Sequence, residues 1–436
     1  MKKFVLFTII FLFFFVGIAG IAEAERDTRC AAWLSDNSTI HIDSLHVGKE
    51  YFWADFRPVD SPEGKEGLFF ELCPDYRYSE KVDDNCSAWD PETQTIHISS
   101  LLVGKVYYWI DLVWRKDLKL FQLTDWCSHE LEIFGYALNA VDGFGDWREN
   151  LAKTAKFSNF AMIASDGTSV REIAAGDAEK ISKALGLGMN RTMVVVTDVL
   201  FIGDFDESGV FTNVRLRSDY RERLQRYSSY LHLYRGKNPW AFYVLDEPYL
   251  AAIVEGMSIG KMREMLNKAI AAIKEVFPNS KTANGIAVTR SDLEQENILG
   301  FPVPENAAEE YGFPKFDLIA VYCYWAQYKP GHPNDRLEDL KKVFQEKYLG
   351  NAKDNLLPGQ KIILVPGTFH FLGQEISPED YLDLANFYWN IAKTDPQVVG
   401  IVPFLWPSSE NLIGLKDLPK NVRDVWREMG KKIKNY

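Results

Sequence analysis

Trp240-Ala241-Phe242-Tyr243-Val244-Leu245-Asp246-Glu247-Pro248 reads as a buried β-strand that ends in two adjacent carboxylates. The apolar run is short and rich in aromatic and branched residues, as in a strand covered on both faces. Pro248 has no N–H to donate, so strand pairing should end there. Asp246 and Glu247 then lie at the carboxyl end of a strand, which is where a parallel α/β barrel builds its active site.

The sequence on either side extends this pattern. From about residue 132 onward, short apolar runs alternate with helical patterns, the rhythm of βα units around a parallel sheet. Strands are expected at 133–139, 159–165, 192–198, 240–247, 281–288, 316–324, 361–369 and 398–406. Eight such strands over about 300 residues suit a (β/α)8 barrel, with the quoted stretch as its fourth strand. Helices are expected at 218–234, 260–276, 337–347 and 378–393. Ser377-Pro378-Glu379-Asp380 is a good helix start, with a capping Ser, a first-turn Pro and acids at the positive end. The fold class is α/β, with the barrel over 131–436 as the expected catalytic domain.

An internal repeat precedes the barrel. Cys30-Ala-Ala-Trp33, Thr39-Ile-His-Ile42 and Leu45-His-Val-Gly48-Lys-Glu-Tyr51-Phe-Trp53-Ala-Asp55 match Cys86-Ser-Ala-Trp89, Thr95-Ile-His-Ile98 and Leu101-Leu-Val-Gly104-Lys-Val-Tyr107-Tyr-Trp109-Ile-Asp111 at a constant offset of ~56 positions, which is a duplication. Both copies alternate like β-strands. The units, about 30–73 and 86–127, are expected to form one small β-sandwich over 25–128; two independent domains is the alternative. The Leu-x-Val-Gly-Lys-x-Tyr turn resembles the corner before a late strand of fibronectin type III and related sandwiches. Repeat symmetry suggests disulfides Cys30–Cys73 and Cys86–Cys127, one of three pairings four cysteines allow. Cys323, in a later apolar run, reads as a buried free thiol. His41 and His97 occupy equivalent positions and read as exposed strand histidines.

The first 24 residues read as a signal peptide: Lys2-Lys3, an apolar run to Ile21, and a small-x-small site at Ala22-Glu23-Ala24. Export would place the chain in an oxidising setting where disulfides persist. A membrane partner enters only if that segment is retained as an anchor. The net charge of −12 argues against nucleic acid. No cofactor and no metal is expected. His332 and His370 lack a ligand-spaced partner. Asp204-Phe-Asp206-Glu-Ser208-Gly209 starts like a calcium loop but has Arg215 where the bidentate Glu belongs.

Leu245-Asp246-Glu247-Pro248 resembles the Asn-Glu-Pro ending of the fourth strand in the large superfamily of glycosidase barrels, in which the Glu is the general acid/base. That resemblance implies a glycoside hydrolase with Glu247 in this role and a carbohydrate as substrate. Asn139, Asp166, Tyr322, Tyr324, Trp325, His370 and Trp406 fall at strand ends and are the expected substrate-binding residues, Trp406 as a sugar platform. Two departures stand out. Asp246 replaces the Asn, and the seventh strand, Leu364-Val-Pro-Gly-Thr-Phe-His370, lacks the nucleophilic Glu. Three chemistries remain open: Glu375 as nucleophile with retention, Asp198 or Asp166 as base with inversion, or Asp246 and Glu247 acting alone, as in the substrate-assisted hexosaminidases that the adjacent acids resemble. A glycan-binding protein on a degenerate barrel is the alternative from a different class.

Overall fold

The computed structural model describes residues 31–434 apart from 35–37, 48–49, 63–64, 66, 74–76, 79–86, 104–105, 128–130, 206–210, 287, 299–300, 325–336, 374–375 and 410. The chain divides into two compact units, Met1–Glu130 with Tyr436, and Leu131–Asn435.

In the first unit each repeat contributes a short strand and a long hairpin: Ala31–Leu34, Thr39–Val47 and Glu50–Val59, then Ser87–Asp90, Thr95–Val103 and Val106–Arg115. Each short strand pairs antiparallel with the next strand of its own copy and parallel with the equivalent strand of the other copy. Leu68–Leu72 and Leu120–Cys127 pair with each other and close the opposite side. One nine-stranded sheet results, rather than the two separate sheets of a fibronectin-type sandwich. Its core is the alternating set Ile40, Ile42, Phe56, Ile96, Ile98 and Leu112. The two copies share this core because neither has enough apolar surface to fold alone.

Two expectations for this unit need correction. His41 and His97 are half-buried. Each stands directly opposite an aspartate of the same copy and bonds to it, His41 Nδ1 to Asp55 Oδ1 at 2.5 Å and His97 Nδ1 to Asp111 Oδ1 at 2.6 Å. Cys73 is a free thiol, so the Cys30–Cys73 bridge is not formed. The symmetry behind that pairing fails in the register. Trp109 faces Cys127, whereas the equivalent Trp53 faces Arg77, and Cys73 lies beside Asp55 instead. Cys30, Cys86 and the Cys127 side chain lie outside the described residues.

The second unit is a closed barrel of eight parallel strands, Ile133–Val141, Phe160–Ala164, Arg191–Val195, Ala241–Tyr243, Lys281–Ile286, Leu318–Cys323, Lys361–Pro366 and Val398–Ile401. Ile133, Phe160, Met193, Ala241, Leu318 and Ile363 fill its interior. Helices pack outside, including Val170–Gly186, Ile259–Val276, Pro378–Thr394 and Lys420–Lys434. After the third strand comes a hairpin, Phe201–Phe205 with Phe211–Leu216, whose tip carries the calcium-like stretch; residues 206–210 of it lie outside the described residues. Among the described residues no helix is long and apolar enough to cross a membrane.

Candidate active site

The fourth strand pairs for only three residues, yet the chain stays beside the fifth strand beyond it. Val244 donates its N–H to the Ala283 carbonyl at 3.2 Å, and Leu245 donates to the Asn284 side-chain oxygen at 3.0 Å. Asn284 thus acts as a substitute backbone acceptor where the ladder runs out. On the other side, Val196 N–H and Thr197 Oγ1 donate to the carbonyls of Tyr243 and Val244. Pro248 then opens the helix Pro248–Val254 at its first position.

Between strand and helix, Glu247 takes a left-handed conformation at φ 39°, ψ 52°. Consecutive side chains of an extended strand point to opposite faces, so Asp246 and Glu247 would otherwise diverge. The left-handed turn lets both reach inward partners. Tyr243 Oη donates to Asp246 Oδ1 at 2.5 Å, and Tyr322 Oη, from the sixth strand, donates to Glu247 Oε1 at 2.9 Å. A non-glycine residue held there costs about 1–3 kcal/mol and persists where the surroundings over-determine it, as at active sites.

Asp246 is exposed to solvent, although protein atoms cluster closely around its carboxyl. The surrounding protein raises its pKa against the pull of the Tyr243 hydroxyl. Glu247 is half-buried. Burial first, and then the negative charge of Asp246, push its carboxyl up to about 7, while the Tyr322 bond pulls the other way. So raised, this group can carry a proton near neutral pH and transfer it to a leaving oxygen.

Aromatic rings form one side of the site. Tyr322 stacks on Tyr324 with ring centres 5.1 Å apart, Tyr324 stacks on Phe404 at 5.0 Å, and Phe369 meets both Tyr324 and Phe404 edge-on.

The other expected residues fall elsewhere. Trp406 is not a platform: it is 2% exposed and packs against Tyr136 and Phe157. Phe404, two residues earlier, faces the barrel interior in its place. Asn139 is fully buried, and its amide is committed to the second strand: it accepts from Met162 N–H at 3.0 Å and donates to the Phe160 carbonyl at 3.3 Å. Asp166 and Asp198 are exposed; neither is among the groups acting on Glu247. His370 is half-buried beside the Tyr381 hydroxyl at 3.1 Å, and burial lowers its pKa. Trp325 and Glu375 lie outside the described residues. Past the seventh strand, Gly367, Thr368 and Phe369 are buried and carry no carboxylate. Tyr243 was missed in the sequence, although it sits in the deciding stretch three residues before Asp246. Among the described residues, no three His, Cys, Asp or Glu are grouped to hold a metal ion.

No family model matches the chain, and no curated protein does. Among solved structures it is similar to a β-D-glucuronidase from Dictyoglomus thermophilum (TM-score 0.42, 13% identity, 92% of this chain and 68% of that one). It is also similar to a β-glucosidase from Thermotoga maritima in complex with cyclophellitol (0.42, 12%, 67% and 87%). A calcium-binding mutant of β-glucuronidase 2 from Bacteroides uniformis (0.40, 12%) covers 89% of this chain, which spans about half, 51%, of that protein's length.

Proposed function

We propose that the chain is an exported glycoside hydrolase in which Glu247 is the general acid/base and Asp246 its charged helper. The observation that carries this reading is the carboxylate pair at the end of the fourth strand, each member held by its own tyrosine. Of the three chemistries we take the pair acting alone, because its two carboxylates stand together, each on its own tyrosine, while Asp166 and Asp198 are exposed and do not act on Glu247; Glu375 lies outside the described residues. The nucleophile is then the substrate's own 2-acetamido oxygen, and the substrate a 2-acetamido sugar. That oxygen bonds to the anomeric carbon as Glu247 gives its proton to the departing oxygen. Asp246, ionised, orients the amide N–H and balances the positive charge that forms on it. Water, giving its proton back to Glu247, then opens the ring intermediate. Phe404 and Tyr324, the half-buried members of the aromatic side, are the rings left to meet the sugar's C–H face.

The test is a panel of aryl glycosides with and without the 2-acetamido group, run on the mature protein and on Glu247→Gln. Turnover confined to acetamido substrates is expected, with kcat/KM falling about 10²–10⁴-fold in the variant. Activity should also fall as pH rises through about 7, where Glu247 loses its proton. Equal turnover in both proteins overturns the reading. The stack of Tyr322, Tyr324 and Phe404, beside a seventh strand without a carboxylate, favours a second reading, a glycan-binding barrel. Glycan binding without turnover would establish it.

A further inference from the structure

Tyr243 and Tyr322 sit on strands four and six, two strands apart, about 10 Å along the sheet. A side chain on the intervening fifth strand would ordinarily separate them. That position is Gly285. A Cβ there would lie 2.5 Å from Tyr243 Oη and 2.7 Å from Tyr322 Cε1, closer than real contacts allow. The missing side chain is therefore the space into which both rings lean. From there each phenol reaches a different carboxylate, Asp246 at 2.5 Å and Glu247 at 2.9 Å. The two settings are unequal. The bond to Asp246 is the shorter, and Asp246 is exposed where Glu247 is half-buried.

We infer that Tyr243 and Tyr322, leaning together over Gly285, are positioning residues that decide which carboxylate keeps the proton. The short Tyr243 bond and access to solvent hold Asp246 as the anion. Glu247, half-buried beside a negative neighbour, is left as the acid. Two adjacent carboxyls of similar surroundings would share the proton without assignment; the bracket gives each a role. The titratable groups that face the pair are Tyr243 on their own strand and Tyr322 and Tyr324 on the sixth. The fifth strand contributes Gly285 there, which does not titrate. No lysine, arginine or histidine acts on either carboxylate among the described residues. The inference rests on the reading of Glu247 as acid, and the experiment separates the two.

The experiment compares Tyr243→Phe and Tyr322→Phe, each close to the native shape. The first readout is an infrared titration of the substrate-free protein, with the two carboxyl bands assigned by their loss in Asp246→Asn and Glu247→Gln. A bond to an ionised group is strong enough to move a titration by about one pH unit. Tyr243→Phe should raise the Asp246 titration by that much and leave Glu247 in place. Tyr322→Phe should do the reverse. In the pH profile of kcat/KM, Tyr243→Phe should move the acidic limb upward and narrow the bell, and Tyr322→Phe should move the basic limb upward and widen it. A purely structural role would lower the profile without moving one limb selectively. Titrations that stay in place in both variants, or move together in either, overturn the inference even if glycosides are cleaved. Selective shifts without any turnover leave the bracket standing and remove the hydrolase reading instead.

Discussion

Asp177 is fully buried, and only one of its oxygens has a partner, the Tyr227 hydroxyl at 2.8 Å. Burial pushes its carboxyl up to about 7. The Tyr227 bond and the Lys180 charge oppose the rise, and Lys180 itself is paired with Asp142 at 2.8 Å. An acid whose folded pKa is raised binds its proton more tightly in the native state. That stability is fully present below the unfolded value near 4 and is lost as pH rises through about 7. Asn at this position cannot ionise, so Asp177→Asn should flatten the loss of stability between pH 5 and pH 8, by on the order of a few kcal/mol. Urea midpoints of both proteins at the two pH values check this; parallel slopes would place the pH dependence elsewhere. Residues of this kind are hard to read from sequence. Asp177 sits in an ordinary amphipathic helix, and nothing nearby marks it as inward. Asp246, Glu247 and Tyr322 were legible because a strand end and a proline mark them. Asn139 was misassigned because irregular pairing changes which way a side chain faces, and Trp406 because it lies past the end of the eighth strand, Val398–Ile401, where strand alternation no longer sets its direction. The register of the first strand on the second shifts between Tyr136 and Ala140, and Asn139, inside that gap, uses its amide as backbone.

At the scale of elements, the periodicities carried most of the information. All eight barrel strands appear where apolar runs and turn residues placed them, although several are shorter than their apolar runs. The fourth shrinks to Ala241–Tyr243 because it lies next to residues that must leave the ladder to form a site, and no propensity encodes that. The helix Pro378–Thr394 starts where its sequence says it should. Ser377 Oγ accepts the Asp380 N–H at 3.1 Å, and Pro378 occupies the first turn. Ser377→Ala should therefore cost about 1 kcal/mol, the ordinary value of an N-cap, with the urea midpoint lowered and its slope unchanged. A neutral result would mean that packing of Tyr381, Leu384 and Tyr388 holds the helix end without the cap. The β-region was legible as a duplication but not in its pairing. Repeats show which strands are equivalent; they do not show that each copy's short strand also pairs with the other copy.

For the molecule as a whole, the barrel closes through its own ends. The first strand pairs with the eighth, Ile133 with Gly400 and Phe134 with Ile401. The approach is tight enough that a Cβ on Gly400 would lie 2.4 Å from Ile133 Cβ. Every strand of the barrel thus finds both neighbours within Leu131–Asn435, and both candidate carboxylates with their tyrosines come from the same stretch. A closed sheet has no edge left to satisfy, and the interior apolar cluster is complete within it. A chain beginning at Leu131 should therefore fold cooperatively by itself and keep the turnover of the mature protein on small aryl glycosides. Gly400→Ala in that shortened chain should prevent closure and abolish its cooperative melt. If the shortened chain melts cooperatively but fails to act on small substrates, the duplicated β-region contributes to the chemistry. If it does not fold, barrel closure alone does not hold the unit together, and its stability depends on the segment before Leu131.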